Sequence, residues 1–384
     1  MSTPTTAATR RRQSLLFLST IYPGPRDPAR GPQNRSLVEA IREAGCDVTV
    51  IAPVPWTRSG GAMSPPLRDE YHPTYWYTPR ILRTHYHQMM SWSIAAAVRR
   101  AWARTRPDAV LAFWVDPDGT AALRVARRHG VPCGIIAAGS DLMLLPSDPR
   151  RRQRIARTLR RADHVFAVGS VLRDIAVDLG CDPARVSNFI AGVDLDRFTP
   201  GDRADARQRL GLHESGPVLL WVGQMVAVKA ARRVLLASEE LASAMPGITV
   251  ALVGDGPDRA TLEAMAEHSP RLRSHVRFAG AVSHDVLPDW YRAANVLVLP
   301  SRSEGVPTVL LEAMACGLPF AASDVGSIRD LLPFGASAVV PEGDIGALIA
   351  AITDVLAAPP TLVTPRRYDR RAGAREVLSA LGLE

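Results

Sequence analysis

The chain alternates between short apolar runs and longer segments in which apolar residues recur at helical spacing. The runs of the first half are 14–19, 48–52, 109–114, 133–137 and 164–168. Those of the second half are 218–222, 249–253, 275–278, 296–299 and 320–323. Strand-length runs that alternate with helical segments are typical of parallel sheets with crossover helices. The pattern predicts an α/β protein with two Rossmann-like, doubly wound domains that face each other across a cleft.

A polar segment that contains prolines and glycines separates the two halves. We expect an N-terminal domain over residues 1–200, a linker over 201–216 and a C-terminal domain over 217–360. A C-terminal tail over 361–384 could return to the N-terminal domain. Because open α/β sheets bind ligands at the carboxyl ends of their strands, the loops that follow the strands of the second half are the places to look for a site.

Composition narrows the class of protein. The 384 residues suit two domains, and 47% of them are apolar. No apolar segment approaches the ~20 residues of a membrane span. Arg10, Arg11 and Arg12 precede the apolar run 15–18 as in a signal peptide, but that run is too short. Four scattered cysteines without a C-x-x-C pair predict neither disulfides nor a zinc site and fit a reducing, cytoplasmic compartment.

The net charge of +8 comes almost entirely from arginine, because Lys229 is the single lysine in the chain. A GC-rich genome explains why lysine is scarce, but not why it stands here. Lys229 lies six residues after Gly223, which directly follows the predicted strand 218–222. An ammonium is a compact charge that suits phosphate, and a strand's carboxyl end would carry it into a ligand site. A solvated lysine in the first turn of a helix is the structural alternative.

Two carboxylates surround a second strand end. The predicted strand 296–299 leads into a Ser/Gly loop with Glu304, and a helix is predicted to begin near Pro307 or Thr308. A helix start offers free N–H groups and a positive dipole end, which suits a diphosphate. Glu312 lies about one turn inside that helix. Carboxylates beside phosphates make sense as acceptors for ribose and sugar hydroxyls, although either residue alone could be an ordinary surface charge.

A glycine-rich turn, Gly254-Asp255-Gly256, follows the predicted strand 249–253. It hints at a dinucleotide fingerprint but lacks the third glycine, and prolines occupy the loop after the first strand where such a fingerprint would lie. A nicotinamide enzyme is therefore disfavoured.

These elements together resemble the retaining glycosyltransferase family 4, also called glycosyl transferases group 1, which has the GT-B fold. The resemblance rests on ordered motifs between about residues 218 and 344: Gly223 with Lys229, Gly254-Asp255-Gly256, Phe278-Ala279-Gly280, and Glu304 with Glu312 in Glu-Gly-x(6)-Glu-Ala-Met-Ala-x-Gly. The first half is similar more loosely, through the 22–31 loop, Gly139-Ser140-Asp141, and 192–198.

The resemblance implies a transferase that moves a sugar from a nucleoside-diphosphate donor, UDP- or GDP-linked, to a hydroxyl acceptor with retention and without a metal. No cofactor is bound permanently. Lys229 and Glu304 are the candidate catalytic residues: Lys229 would hold the diphosphate and Glu304 the transferred sugar. Glu312 would contact the ribose. The candidate donor-binding residues are Gly223, Gln224, Lys229, Glu304, Gly305, Thr308, Val309 and Glu312. The candidate acceptor-side residues are Gly31 and Asp141.

Three positions depart from the family pattern. The family usually has Arg at the position of Gln224, and many members have His at Ala138 and Asn at Ala191. Gln224 removes one positive charge from the diphosphate site, so we expect another arginine to supply it. Ala138 removes a frequent contact near the reacting sugar, and the change at Ala191 is expected to be structural.

The segment 150–161 holds seven arginines in twelve residues, with Ile155 and Leu159 on one helical face. It could contact the inner face of an anionic membrane that carries a lipid-linked acceptor, or it could be a solvated helix face. No nucleic-acid-binding motif accompanies it, and we expect no nucleic acid partner. Two D-x-D triplets, at Asp116 and Asp118 and at Asp194 and Asp196, resemble metal sites only weakly.

The sequence favours glycosyl transfer in bacterial polysaccharide, glycolipid or glycoconjugate synthesis. Two other readings stay open. The departures at Gln224, Ala138 and Ala191 would suit a catalytically weak or inactive sugar-nucleotide-binding protein. An epimerase of the same fold would convert a nucleotide-sugar without any acceptor.

Overall fold

The fold comes from a computed structural model, which describes residues 11–24, 27, 30–58, 69–79, 81–245, 247–334, 338–360 and 366–384. Arg10 and residues 361–365 of the predicted tail lie outside these ranges. The chain divides into two compact units. Unit 1 comprises Met1–Ala167, Arg173–Phe189 and Gly373–Glu384, and unit 2 comprises Val168–Leu172 and Ile190–Ala372.

Unit 1 is built around a sheet that, over the described residues, has seven strands in the order β4-β2-β1-β6-β7-β8-β9. The strands are β1 Ser14–Leu18, β2 Asp47–Ile51, β4 Glu70–Tyr71, β6 Ala109–Phe113, β7 Cys133–Ala137, β8 His164–Val168 and β9 Val186–Phe189. A separate pair is formed by β3 Val54–Pro55 and β5 Thr74–Tyr75. Neighbours from β4 through β8 pair in parallel, as the alternating pattern predicted.

Seven helices accompany this sheet over the described residues. They are α1 Pro32–Glu43, α2 Tyr86–Thr105, α3 Thr120–His129, α4 Ser140–Met143, α5 Pro149–Arg161, α6 Ser170–Asp178 and, at the end of the chain, α13 Arg370–Ala380. Asp148 caps α5 by accepting hydrogen bonds from Arg150 N and Arg151 N at 2.9 and 3.2 Å. Ile155 and Leu159 are buried, which confirms the predicted apolar face of this basic helix.

Unit 2 contains a six-stranded parallel sheet over its described residues, in the order β12-β11-β10-β13-β14-β15. Its strands are β10 Val218–Val222, β11 Thr249–Val253, β12 Val276–Gly280, β13 Val296–Leu299, β14 Phe320–Ser323 and β15 Ala338–Val340. Its helices are α7 Arg203–Leu210, α8 Ala231–Ala244, α9 Arg259–His268, α10 Leu287–Ala293, α11 Thr308–Ala315 and α12 Ile345–Ala357. This is the doubly wound order of a Rossmann-like domain, with the reversal between β10 and β13.

Both faces of the unit 2 sheet are covered. Along β10, Val218, Leu220 and Val222 pack into one buried cluster, whereas Leu219 and Trp221 pack into another. Successive side chains of a strand point to opposite faces, so a strand covered on both sides reads as one continuous apolar run. That explains why β10 was visible in the sequence without any alternation.

The segment 201–216, predicted as a linker, instead belongs to unit 2 and contains α7. Asp202 caps the helix, and Gly211 ends it in a left-handed conformation with φ 62°. The buried Arg207 donates hydrogen bonds to Ala293 O and to Asn295 Oδ1 at 3.0 and 2.7 Å. The helix is held by this buried arginine together with the buried Ala206 and the partly buried Leu210. Its mostly polar composition is why the segment suggested a linker. Residues 373–384 of the predicted tail belong to unit 1.

No helix among the described residues is both long enough and apolar enough to cross a bilayer.

Candidate functional site

The candidate site is formed by the two loops that leave the sheet of unit 2 where its strand order reverses. β10 and β13 are adjacent and parallel, so their carboxyl ends open on the same edge. The loop after β10 carries Lys229, and the loop after β13 carries Glu304. The Arg302 N–H donates to Val228 O at 2.8 Å, which ties one loop to the other. Crevices at such a reversal are the usual ligand sites of open α/β sheets.

Lys229 and Glu304 form the central ion pair of this site. Lys229 Nζ donates to both carboxylate oxygens of Glu304, at 2.7 Å to Oε1 and 2.8 Å to Oε2. The Glu304 side chain is 7% exposed, whereas that of Lys229 is 31% exposed. The carboxylate is thus held inside, and the ammonium keeps open surface through which it can meet a second anion. The structure brings together the two residues that the sequence singled out as catalytic.

Glycines hold the loop after β10 in place. A Cβ on Gly254 would stand 1.8 Å from Gly223 O, and a Cβ on Gly256 would stand 2.5 Å from Met225 O. Met225 N also donates to Asp255 O at 2.9 Å. The turn after β11 therefore presses its backbone against the loop that carries Lys229, and only glycine allows that approach. The motif supports the loop that carries Lys229, and it lacks the third glycine of a dinucleotide fingerprint.

Helix α11 begins where the motif predicted. Its N-cap is Pro307 without a side-chain cap, and the first bond of the turn runs from Leu310 N to Pro307 O at 3.1 Å. The amides of Thr308 and Val309 precede that bond, and both residues are partly exposed. Such amides, together with the helix dipole, form an anion site. The helix ends before Gly317, which has φ 77°.

Glu312 is buried and fully engaged, so it is not a solvated surface charge. Tyr291 Oη donates to Glu312 Oε2 at 2.6 Å, and His284 Nε2 lies 3.3 Å from Oε1. Arg197 Nη1 lies 2.9 Å from His284 Nδ1. Because guanidinium only donates and carboxylate only accepts, His284 is the tautomer with its proton on Nε2. Burial, and then the Glu312 carboxylate, raises the pKa of Tyr291 well above its ordinary value, so its hydroxyl stays a donor.

Sequence reasoning missed Tyr291, His284 and Arg197 as neighbours of Glu312. They come from α10 and from loops far away along the chain, and no local spacing links them to α11. The tyrosine itself was the one available signal, because a buried hydroxyl needs a partner.

Gln224 is exposed on the loop after β10 and does not supply a charge. Arg302 stands two residues before Glu304, and its side chain is exposed. Its backbone bond to Val228 places it on the same pair of loops as Lys229. Arg302 also lines a neighbouring cavity with Arg232 and Arg233, so several arginines lie around the loop after β10.

Gly31 and Asp141, the predicted acceptor-side residues, belong to unit 1 and are both structural in their observed contacts. Gly31 has φ 61°, and a Cβ there would stand 2.7 Å from Ile21 O. Asp141 is fully buried and accepts hydrogen bonds from Val115 N at 3.1 Å and from Gly139 N at 2.8 Å. Burial raises the pKa of Asp141 to about 6. Its carboxylate orders two loops and is not exposed to an acceptor.

The carboxylates of both D-x-D triplets are occupied by bonds within the protein. Asp116 pairs with Arg154 at 2.8 Å, and Asp118 accepts from Thr20 N at 2.7 Å. Asp194 pairs with Arg370 at 3.2 Å, and Asp196 pairs with Arg371. These contacts give each triplet a structural role.

Comparison with known protein families identifies the family of this chain. Residues 216–358 match the description "Glycosyl transferases group 1", and residues 31–188 match "Glycosyl transferase 4-like domain". The chain belongs to the group 1 glycosyl transferases. The first match covers the whole candidate site, from β10 through α12, and the second covers most of unit 1.

The chain is similar to curated glycosyltransferases. It is 36% identical over 270 residues to a D-inositol 3-phosphate glycosyltransferase of Frankia alni, an alignment that covers 65% of each protein. The chain thus spans less than two thirds of the length of this curated relative.

Solved structures share the GT-B fold. Sucrose-phosphate synthase of Thermosynechococcus elongatus superposes with a TM-score of 0.75 at 22% identity, over 96% of this chain and 95% of the other. Anabaena Alr3699/HepE in complex with UDP-glucose gives 0.68 at 16% identity, over 96% and 99%. At these identities the likeness establishes the fold.

Proposed function

We propose that the chain transfers a glycosyl group from a nucleoside-diphosphate sugar to a hydroxyl acceptor, with retention of configuration, at the site around Lys229 and Glu304. The observation that carries the proposal is the bidentate contact of the chain's single lysine with a buried carboxylate, beside an uncapped helix start at the strand-order reversal. Each part matches one chemical group of such a donor.

The positive groups would receive the diphosphate. Lys229 presents a partly exposed ammonium, and the amides of Thr308 and Val309 present N–H donors at the positive end of α11. Arg302 adds a guanidinium on the adjoining loop. Charge develops on the departing diphosphate as the sugar leaves, so fixed donors aimed there lower the barrier. We assign to Lys229 and the helix start the role that a divalent cation has in metal-dependent transferases.

The carboxylates would receive hydroxyls. Glu304 accepts hydrogen bonds and can take hydroxyls of the transferred sugar when Lys229 turns toward phosphate. Glu312 would take a ribose hydroxyl, and Tyr291 and His284 hold it in a fixed orientation. This division keeps each carboxylate away from direct contact with phosphate oxygens.

The reaction breaks the bond between the sugar's anomeric carbon and the diphosphate oxygen. The acceptor oxygen forms its bond to the same carbon from the same face, and its proton passes to the departing phosphate oxygen. The diphosphate itself is thus the base, and the protein's part is to stabilise the charge on it.

The donor is a UDP- or GDP-sugar in this proposal, and the UDP-glucose complex of the structural neighbour with the same fold favours UDP. The acceptor is a hydroxyl compound. The named activity of the Frankia alni relative makes an inositol phosphate the first compound to test, and lipid-linked saccharides the second. A cytoplasmic location and contact with the inner face of a membrane through 150–161 stay predictions, which vesicle binding tests.

A thermal-shift screen of UDP- and GDP-sugars tests the donor site. We expect the matching donor to raise the unfolding temperature of the wild type and of Glu263→Gln, and to have less effect on Lys229→Ala. Glu263 is a matched control, because it also pairs with a basic residue of unit 2, Arg259, at 2.7 Å, but lies on α9.

Transfer to inositol phosphate and to lipid-linked acceptors is then measured with that donor. Formation of a glycoside supports the proposal. Binding without transfer to any acceptor would favour a sugar-nucleotide-binding protein, and conversion of the donor in the absence of acceptor would favour an epimerase. Either result contradicts the proposed reaction.

A further inference from the structure

Unit 1 contains a surface cavity of about 650 Å³ whose lining residues all lie outside the candidate donor site. It is enclosed by α3 and α5, with His87 of α2 beside them. Its volume falls within the ~300–1,000 Å³ that is usual for small-molecule sites. The cavity is large enough for a compact ligand.

Arginines from two helices line this cavity together. Helix α3 contributes Arg124, Arg127 and Arg128, and helix α5 contributes Arg150, Arg154, Arg157 and Arg161. Arg154 is neutralised by Asp116 at 2.8 Å. The other six have no carboxylate within ion-pairing distance among the described residues, and no acidic residue lines the cavity.

The helical geometry of α5 divides its arginines into two groups. Arg150, Arg157 and Arg161 turn toward α3, whereas Arg152 and Arg160 of the same helix are exposed and do not line the cavity. A basic helix face that serves only solubility would not need its arginines to line a cavity together with the arginines of a second helix. Like charges gathered around one concavity repel one another, and an anion in the cavity would relieve that repulsion.

A neutral histidine ring also borders the cavity. His87 is 7% exposed, and its Nδ1 is buried without a hydrogen-bond partner among the described residues. Burial, and then Arg154 and Arg124, lowers the pKa of His87 to about 4, so the ring is neutral at pH 7. A buried polar atom without a partner is unusual in a folded protein. Because His87 Nδ1 has almost no accessible surface, a ligand in the cavity would meet the neutral ring and the surrounding guanidinium groups rather than this nitrogen.

We propose that this cavity binds a compact ligand that carries two or more phosphate groups, held by the guanidinium groups of α3 and α5. Arginine is suited to this task because its planar fork donates two parallel hydrogen bonds to a phosphate. The phosphates could belong to a soluble oligophosphate or to clustered lipid headgroups. The site is independent of the proposed transfer reaction, since it shares no residue with the donor site.

The test compares two double variants that remove the same charge. Arg128→Ala with Arg157→Ala empties the cavity of two exposed guanidiniums, and Arg152→Ala with Arg160→Ala removes two exposed guanidiniums of the same basic helix region outside it. Each protein is titrated with tripolyphosphate by calorimetry at fixed ionic strength, and each is sedimented with phosphatidylcholine vesicles with and without phosphatidylglycerol. Both variants keep Lys229, so the difference between them reports the cavity alone.

We expect saturable tripolyphosphate binding that weakens at least about tenfold in the cavity variant and changes by less than about twofold in the surface variant. The same difference seen with phosphatidylglycerol vesicles, and not with tripolyphosphate, would support the site and identify lipid headgroups as the source. Equal losses in the two variants, or no saturable binding to either probe, would overturn the proposal.

Discussion

Replacing Glu304 with glutamine should have opposite effects on the binding of a nucleotide and on the transfer of a sugar. In the ligand-free chain, the Lys229 ammonium is 2.7 and 2.8 Å from the two Glu304 oxygens. A phosphate oxygen bound to the same ammonium would then stand about 5–6 Å from the carboxylate, and the two anions would repel each other. Glutamine removes that repulsion and keeps the size of the side chain.

The magnitude follows from Coulomb's law. At about 5–6 Å, the repulsion is about 1 kcal/mol in a water-like environment and about 3 kcal/mol at an effective dielectric constant of 20. Because the Lys229 side chain is 31% exposed, the lower figure applies, which corresponds to about fivefold tighter binding of UDP. Sugar transfer should fall, because the uncharged amide oxygen of glutamine accepts hydrogen bonds from sugar hydroxyls more weakly than a carboxylate does.

Calorimetric titration of UDP and GDP into wild type, Glu304→Gln and Glu263→Gln measures the effect. The control should bind as the wild type does, and the gain in Glu304→Gln should shrink as salt is added. Unchanged or weaker nucleotide binding by Glu304→Gln would refute the idea that the pair shares its ammonium with phosphate.

Three further predictions concern stability. Lys229→Ala should lower the free energy of unfolding by about 1–3 kcal/mol, more than Glu304→Gln does, because it leaves a buried carboxylate unpaired; denaturant unfolding that ranks the two in the opposite order would contradict this. Tyr291→Phe should cost about 1.5–3 kcal/mol by removing a hydrogen bond to the buried Glu312 carboxylate, and an unchanged midpoint would count against that bond. Burial raises the pKa of Asp118 from 3.8 to about 7. The contribution of its protonated carboxyl group to the free energy of unfolding is therefore complete below pH 4, and it falls by about 4 kcal/mol as the pH rises through 7. Relative to Asp118→Asn, the wild type should lose stability between pH 4 and 8, and a pH-independent difference would refute the assignment.

The strands that bury both faces were readable from the sequence. The bounds of β10, β11, β13 and β14 match the runs that predicted them, because a strand covered on both sides reads as a nearly continuous apolar run. The edge strands β9 and β15 were missed, because two of the four residues of β9 are polar and β15 is only three residues long.

Without the family resemblance, the spacing of residues predicted the site only where its residues are close in sequence. Glu304 and the start of α11 lie on one loop and helix, so spacing alone related them. The pairing of Lys229 with Glu304 depends on the adjacency of β10 and β13, which the sequence does not state. The partners of Glu312 arrive from α10 and from distant loops, which local patterns cannot bring together.

The arginine cavity shows the same limit. The basic run of α5 was visible, and its apolar face was predicted correctly. Four of its seven arginines line a cavity with those of α3. That arrangement depends on how the two helices pack against one sheet. The sequence of α5 alone therefore predicted a basic helix face, and the structure shows that part of this face lines a cavity.

The most direct test of the central claim is a transfer assay with the donor that the thermal-shift screen identifies, followed by determination of the anomeric configuration of the product by NMR. We predict a glycoside with the configuration of the donor, a rate that falls about a hundredfold or more in Glu304→Gln, and a normal rate in Glu263→Gln. Full transfer activity in Glu304→Gln, or a product of inverted configuration, would contradict the proposed site and reaction.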